Sequence, residues 1–165
     1  MLKRGSYRRS KRLVKRIREL TANNRAAPFH GRPPFSERRY FMALRGKDNA
    51  EKIWNFLIDE GFNDYGTAGK MGNLRPESNL EPTNLQNSCE KRLNYTDAEY
   101  TAAVDNGTYK NFVNDGAGYG LAQWTFPTRK AALLEYAKSA GKSIGDLETQ
   151  LRFMVKELKE NFRPV

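Results

Sequence analysis

Two stretches of this chain combine residue types that could do chemistry on a polar substrate. The first, Met71-Gly72-Asn73-Leu74-Arg75-Pro76-Glu77-Ser78-Asn79-Leu80-Glu81-Pro82, sets a carboxylate, Glu77, where an apolar helical pattern gives way to an irregular loop. A carboxyl group half buried at such a junction has its charged form disfavoured. Its pKa rises, and it can hold a proton near neutral pH, as a general acid must. A Glu at a helix end equally serves to cap or salt-bridge the next segment, and that use is the commoner one. The second stretch is Gly116-Ala117-Gly118-Tyr119-Gly120-Leu121-Ala122-Gln123-Trp124-Thr125. Its closely spaced glycines let backbone approach a ligand, Tyr119 and Trp124 offer flat faces to sugar rings, and Gln123 offers both donor and acceptor to hydroxyl or acetamido groups. A glycine-rich turn carrying a core Trp is the competing reading. A phosphate-cradling loop fits less well, because no Lys-Ser or Lys-Thr follows and no strand precedes.

The elements that must position these residues read as helices. Asp48 with Glu51 forms a capping-box pattern, and Ala50, Ile53, Trp54, Leu57 and Ile58 follow at helical spacing before Gly61. A second helix, short and mostly buried, is expected from about Thr67 through Met71 and Leu74 towards Glu77, with Pro76 ending or loosening it. Thr96 and Glu99 give another capping box, ahead of Tyr100, Ala103 and Val104 and a stop at Asn106-Gly107. Pro127 suits a first helical turn before Ala131–Ala137, ending at Gly141. Asp146 caps a last helix with the stripe Leu147, Leu151, Met154, Val155, Leu158 and Phe162. Between Leu80 and Tyr95, and again between Lys110 and Thr125, every period is broken, so binding residues are expected in those two stretches. The domain is mainly α.

Charge divides the chain. The 165 residues carry a formal net charge of +10. Residues 1–47 hold 15 Lys/Arg against 2 Asp/Glu, whereas residues 48–165 hold 14 against 17. The basic character therefore belongs to an arm, residues 1–47, and the domain of residues 48–165 is nearly neutral. Within the arm, Leu13, Val14, Ile17 and Leu20 fall at helical spacing among basic residues, before an irregular Pro/Gly-rich linker. Such an arm attracts anionic polymer, whether nucleic acid, wall polymer or lipid surface, or docks on a larger assembly. No apolar run is long enough for a membrane span, and no apolar stretch follows the basic start in the manner of a signal peptide. Export by the signal-peptide route is therefore not expected. With Cys89 and His30 as the lone Cys and His, no disulfide within the chain, metal site or other cofactor is expected.

Taken together, MGN-x-x-x-ES-x-L-x-P and G-x-GLAQWT, with Asn84-Leu85-Gln86-Asn87 between them, resemble the phage tail lysozyme domain and, more distantly, lytic transglycosylases. The resemblance covers about residues 48–160 and extends to RKAALLEYA and SIGDLETQL. It implies an α+β lysozyme-like fold and the glycan strand of bacterial peptidoglycan as substrate. It also implies Glu77 as the catalytic glutamate, Gln86 among the substrate-binding residues, and a phage particle with its tail proteins as the setting. Glycoside hydrolysis ordinarily uses two carboxylates. Where some members carry the second acid this chain has Cys89, so adjacent Glu90 and Asp115 are its candidates. A transglycosylase would need Glu77 alone, and a non-catalytic wall-binding or tail-structural module would keep the cleft without turnover. A cysteine peptidase is disfavoured, since His30 lies in the arm and Cys89 has no base nearby in sequence.

Overall fold

The computed structural model describes residues 43–161. The arm's Leu13–Leu20 stripe and Phe162 lie outside them. Six helices follow in order: α1 (Asn49–Asp59), α2 (Asp64–Ser78), α3 (Asn87–Leu93), α4 (Asp97–Asp105), α5 (Pro127–Ser139) and α6 (Leu147–Asn161). Among the described residues the only β pairing consists of two isolated antiparallel bridges, Leu85 with Tyr119 and Tyr119 with Trp124. The architecture is mainly α, and no described helix is long and apolar enough to cross a membrane. The chain forms two compact units divided inside α2, between Gly72 and Asn73.

In the first unit the Asp48 carboxylate accepts the Glu51 amide at 2.9 Å and starts α1, whose Ile53, Trp54, Phe56 and Leu57 are buried. The residues just ahead of this helix are tied to it. Arg45 binds Asp59 through one guanidinium nitrogen at 2.7 and 2.9 Å, and the Arg45 carbonyl accepts from Asn55 at 2.8 Å.

Helix α2 departs from expectation. It is 15 residues long, and its buried positions Thr67, Met71, Leu74 and Ser78 form a single narrow stripe, so most of its surface faces solvent. Pro76 is accommodated inside the helix, which runs on for two residues. A second departure is α3, in a stretch where the sequence breaks every period. It spans two turns with Cys89 its buried residue, too short to show a period, and Asn94 in the left-handed conformation (φ 55°) terminates it.

The remaining helices of the second unit begin as their sequences dictate. Thr96 and Glu99 exchange both capping-box bonds at α4, Pro127 occupies the first turn of α5, and Asp146 accepts the Thr149 amide at 2.8 Å to open α6. Leu133 and Ala137 of α5, with Leu151, Phe153, Met154 and Val155 of α6, are buried, and Trp124 and Tyr136 both pack their rings on Phe153.

Beside this apolar core lies a charged one. Lys130 and Asp115, both side chains wholly inaccessible, form an ion pair at 2.6 Å. The ammonium also donates to the Ala117 carbonyl at 2.8 Å and lies 4.3 Å from the centre of the Phe112 ring. Asp115 accepts from the Ala117 amide and from the Tyr100 and Tyr109 hydroxyls. Buried charge survives here because both members of the pair are also hydrogen-bonded to their surroundings.

Burial pushes the Lys130 amine below its usual value, with Asp115 opposing the shift. It pushes the Tyr100 and Tyr119 phenols up, and Tyr109, with the Asp115 charge adding to burial, up to about 12. A phenol raised on folding contributes stability that is complete below the unfolded tyrosine value near 10 and disappears as pH climbs through the folded one. Lys130, lowered on folding, acts in the opposite sense, but it is one amine against three phenols. Stability should therefore hold to about pH 10 and fall between about 10 and 12, the Tyr109 window. On alkaline titration the last part of the tyrosinate absorbance, that of the buried Tyr100, Tyr109 and Tyr119, should appear together with loss of the circular dichroism signal. Tyrosine ionisation completed without unfolding would contradict this account.

Candidate functional site

The last turn of α2 supplies one wall of a cleft in the second unit. Ser78, buried, aims its hydroxyl at the Leu74 carbonyl (3.2 Å) and at the Leu121 carbonyl (2.9 Å) of the glycine-rich loop. Two successive left-handed residues, Asn79 (φ 53°) and Leu80 (φ 67°), then turn the chain away. That conformation is costly for residues with a Cβ, and here the burial of Leu80 offsets it. Because Leu74 and Ser78 are the inward-facing residues of this turn, Arg75, Pro76 and Glu77 face outward. Glu77 is thus exposed rather than half buried. Its carboxylate makes no hydrogen bond or ion pair with any described residue.

The facing wall is built on Tyr119. Its amide and carbonyl pair with those of Trp124 (3.2 and 2.9 Å), while on its other side Gln86 donates to the Gly118 carbonyl at 2.9 Å and Gly120 to the Asn84 carbonyl at 2.8 Å. This minimal ladder sets Asn84, Gln86 and Gln123 side by side. The Gln86 side chain accepts from the Gly118 amide at 3.0 Å and donates to the Ser88 hydroxyl at 2.9 Å. Gln123, itself left-handed (φ 45°), turns its amide nitrogen to the Asn84 side chain at 2.9 Å and to the Asn84 and Gly120 carbonyls. A Cβ on Gly118 would sit 2.6 Å from the Gln123 side-chain oxygen, so glycine is what lets that side chain lie against the loop.

Between the walls is a cavity of about 570 Å³. Arg75, Pro76, Glu77, Ser78 and Asn79 line it from the α2 side, Asn84, Gln86, Asn87 and Ser88 from the loop and start of α3, and Gln123 and Thr125 from the ladder. The volume suits a small ligand or a few sugar units. One carboxylate surrounded by neutral amides and hydroxyls can transfer a proton at one point while hydrogen-bonding a hydroxyl-rich molecule at many.

Of the residues singled out from sequence, Glu77, Gln86 and Gln123 meet at this cavity. Tyr119 and Trp124 do not, because both are fully buried. The Tyr119 hydroxyl bonds Thr101 at 2.7 Å, and the Trp124 indole donates to Glu157, which also holds Arg129 bidentately. Their faces are packed against protein and are closed to a sugar. Asp115 is likewise corrected: its carboxylate is fully engaged by Lys130 and two tyrosines in the core. Glu90 lies on α3 outside the cavity lining. Cys89 is buried, its sulfur accepting from Arg92 at 3.2 Å. Among the described residues no group of three His, Cys, Asp or Glu could hold a metal ion.

Residues that sequence reasoning passed over are Arg75, Asn84, Asn87, Ser88 and Thr125 on the cavity, and Gln150 behind it. Gln150, fully buried on α6, accepts the Leu121 amide at 2.9 Å and donates to the Pro82 and Ile144 carbonyls, both at 2.6 Å. The polar residues Asn84, Asn87 and Ser88, which flank Gln86 in the sequence, were a usable signal. Gln150, one polar residue on an amphipathic helix, gave none.

A model of the phage tail lysozyme family matches residues 48–165. Morphogenesis protein 1 of Bacillus phage B103 is 26% identical over 127 residues, covering 77% of this chain and 28% of that protein. The chain thus spans little more than a quarter of the length of this curated relative. No solved structure gives a significant match.

The buried pair makes a prediction about Asp115. Asp115→Asn leaves the Lys130 charge inside without a counter-charge and should cost about 3–5 kcal/mol in urea denaturation. Replacing both partners, Asp115→Leu with Lys130→Met, should not recover that loss, because the buried Ala117 amide and carbonyl and the Tyr100 hydroxyl lose their partners as well. A single variant as stable as the parent would show that the pair does not hold the loop.

Proposed function

The chain belongs to the phage tail lysozyme family over residues 48–165, and on that premise we propose that it cleaves the glycan strand of bacterial peptidoglycan with Glu77 as general acid. The observation that supports this most is the Glu77 carboxylate itself, exposed on a polar cavity and without a partner among the described residues. A glycosidic oxygen leaves only if protonated as its bond to the sugar's anomeric carbon breaks, and a protonated Glu77 is the group suited to supply that proton. Asn84, Gln86, Asn87 and Gln123 surround it with amides suited to the hydroxyl and acetamido groups of such a strand.

Among the described lining residues Glu77 is the sole carboxylate, since Asp115 is buried in its ion pair and Glu90 lies off the cavity. In this reading the deprotonated Glu77 takes back a proton from the incoming nucleophile, which in a hydrolase is a water held by the neighbouring amides. The same observation favours a second reading, in which the sugar's own 6-hydroxyl attacks and a 1,6-anhydro end results. The family's description and the phage origin of the relative support a phage particle as the setting. The arm of residues 1–47 would draw the enzyme to anionic wall polymer by charge.

Glu77→Gln keeps the side-chain shape and removes the transferable proton. Wall clearing should fall at least about a hundredfold with the circular dichroism spectrum unchanged. Near-parental clearing would refute Glu77 as the acid, and no clearing by the parent would favour a binding or structural module. Digestion in heavy-oxygen water separates the two chemistries: hydrolysis places label in the new reducing ends, whereas anhydro ends are lighter by one water and carry none.

A further inference from the structure

Resting on that reading, we infer that Phe126 is the aromatic platform on which the cleft seats a pyranose ring, at the end of the cavity marked by Thr125. A sugar ring presents hydroxyls around its edge and C–H bonds on its faces. The cavity provides amides, hydroxyls and charge for the edges, but Pro76 is its sole apolar lining residue. The two aromatic residues of the glycine-rich loop, Tyr119 and Trp124, are fully buried and offer no face. Phe126 is 70% exposed, and among the described residues of the second unit it is the only large apolar side chain so placed. It is joined through one peptide bond to Thr125, which lines the cavity.

Local structure does not account for a phenylalanine here. Phe126 is the N-cap of α5, where Ser, Thr, Asp or Asn would satisfy an amide of the first turn, and it makes no side-chain cap hydrogen bond. Ring exposure adds a further cost. The position is nonetheless held firmly. Its backbone is extended (φ −66°, ψ 135°), the conformation that a following proline enforces, and Pro127 follows. The Phe126 carbonyl accepts the amide of Lys130 at 2.9 Å, a residue anchored by its buried ion pair. Phe126 is not itself among the residues that line the cavity; its ring, on fixed backbone one residue beyond Thr125, is suited to stacking on a sugar that extends past that end, since little ordering is needed on contact.

The test is calorimetric titration of the full chain carrying Glu77→Gln with N-acetylglucosamine dimer and hexamer, alongside the same chain with Phe126→Ala, Phe126→Trp or Phe126→Leu. Phe126→Ala should weaken hexamer binding about tenfold, the scale of a lost aromatic contact with its buried area. Phe126→Trp should match or exceed the parent, and Phe126→Leu, apolar without a ring face, should stay weak. Equal hexamer affinity in the Phe126→Ala and Phe126 chains would overturn the assignment, and so would full rescue by Leu. Wall clearing by the unaltered chain, measured in parallel, tells the two readings apart. Clearing with a Phe126-independent affinity refutes only the platform, whereas neither clearing nor oligomer binding refutes both.

Discussion

Chain that is buried but belongs to neither a helix nor a full sheet must find a partner for each of its backbone N–H and C=O groups, and this requirement governs the second unit. Gly118, Tyr119, Gly120 and Leu121 are all buried, yet the ladder they join is two bridges long. Side chains meet the rest of the demand. Gln86 takes the Gly118 amide, Gln150 the Leu121 amide, Ser78 the Leu121 carbonyl, and Lys130 the Ala117 carbonyl. Each comes from a different part of the unit, so satisfying one loop draws the end of α2, the start of α3, α5 and α6 towards a common point. The glycines follow from the same demand. A Cβ on Gly120 would stand 2.6 Å from the Gln150 side-chain oxygen, and Gly120 also has φ 74°, so side-chain amide and left-handed turn require glycine together.

This arrangement explains why a cleft of neutral amides can be well defined. Gln86 and Gln123 are held by bonds to the loop, and their orientation is set before any ligand arrives. Such preorganisation reduces the ordering cost of binding. Glu77 is held differently: its backbone is fixed through Ser78 and the left-handed pair Asn79-Leu80, while its carboxylate is left without an internal partner among the described residues. The cleft thus combines a rigid hydrogen-bonding wall with one uncommitted acid.

How much of this could be read from the sequence depended on range. Capping signals act within four residues, and Asp48, Thr96, Pro127 and Asp146 each began a helix where read. Glu77 and Gln123, which both line the cavity, stand in patterns legible locally: a lone acid at a helix end and a glycine-rich loop. Tyr119 and Trp124 were misread because an aromatic in such a loop serves a sugar or a core equally well, and the deciding neighbours, Thr101, Phe153 and Glu157, come from α4 and α6. Asp115 looked like a loose loop acid since its counter-charge, Lys130, follows 15 residues later on another element. Helix α3 escaped because seven residues with one buried position show no period.

Gln150 also has a consequence for motion. Its single side chain joins the Leu121 amide to the carbonyls of Pro82 and Ile144, so both loops that border the cleft are fastened to one residue of α6. Local opening of a protein proceeds in cooperative blocks, and hydrogen exchange reports their free energies. The Leu121 amide is tied by this link to the first turn of α6 and not to the quickly fraying surface. Parting the walls of the cleft therefore means breaking bonds to the last helix as well, so the shape of the cleft is tied to the core beneath it.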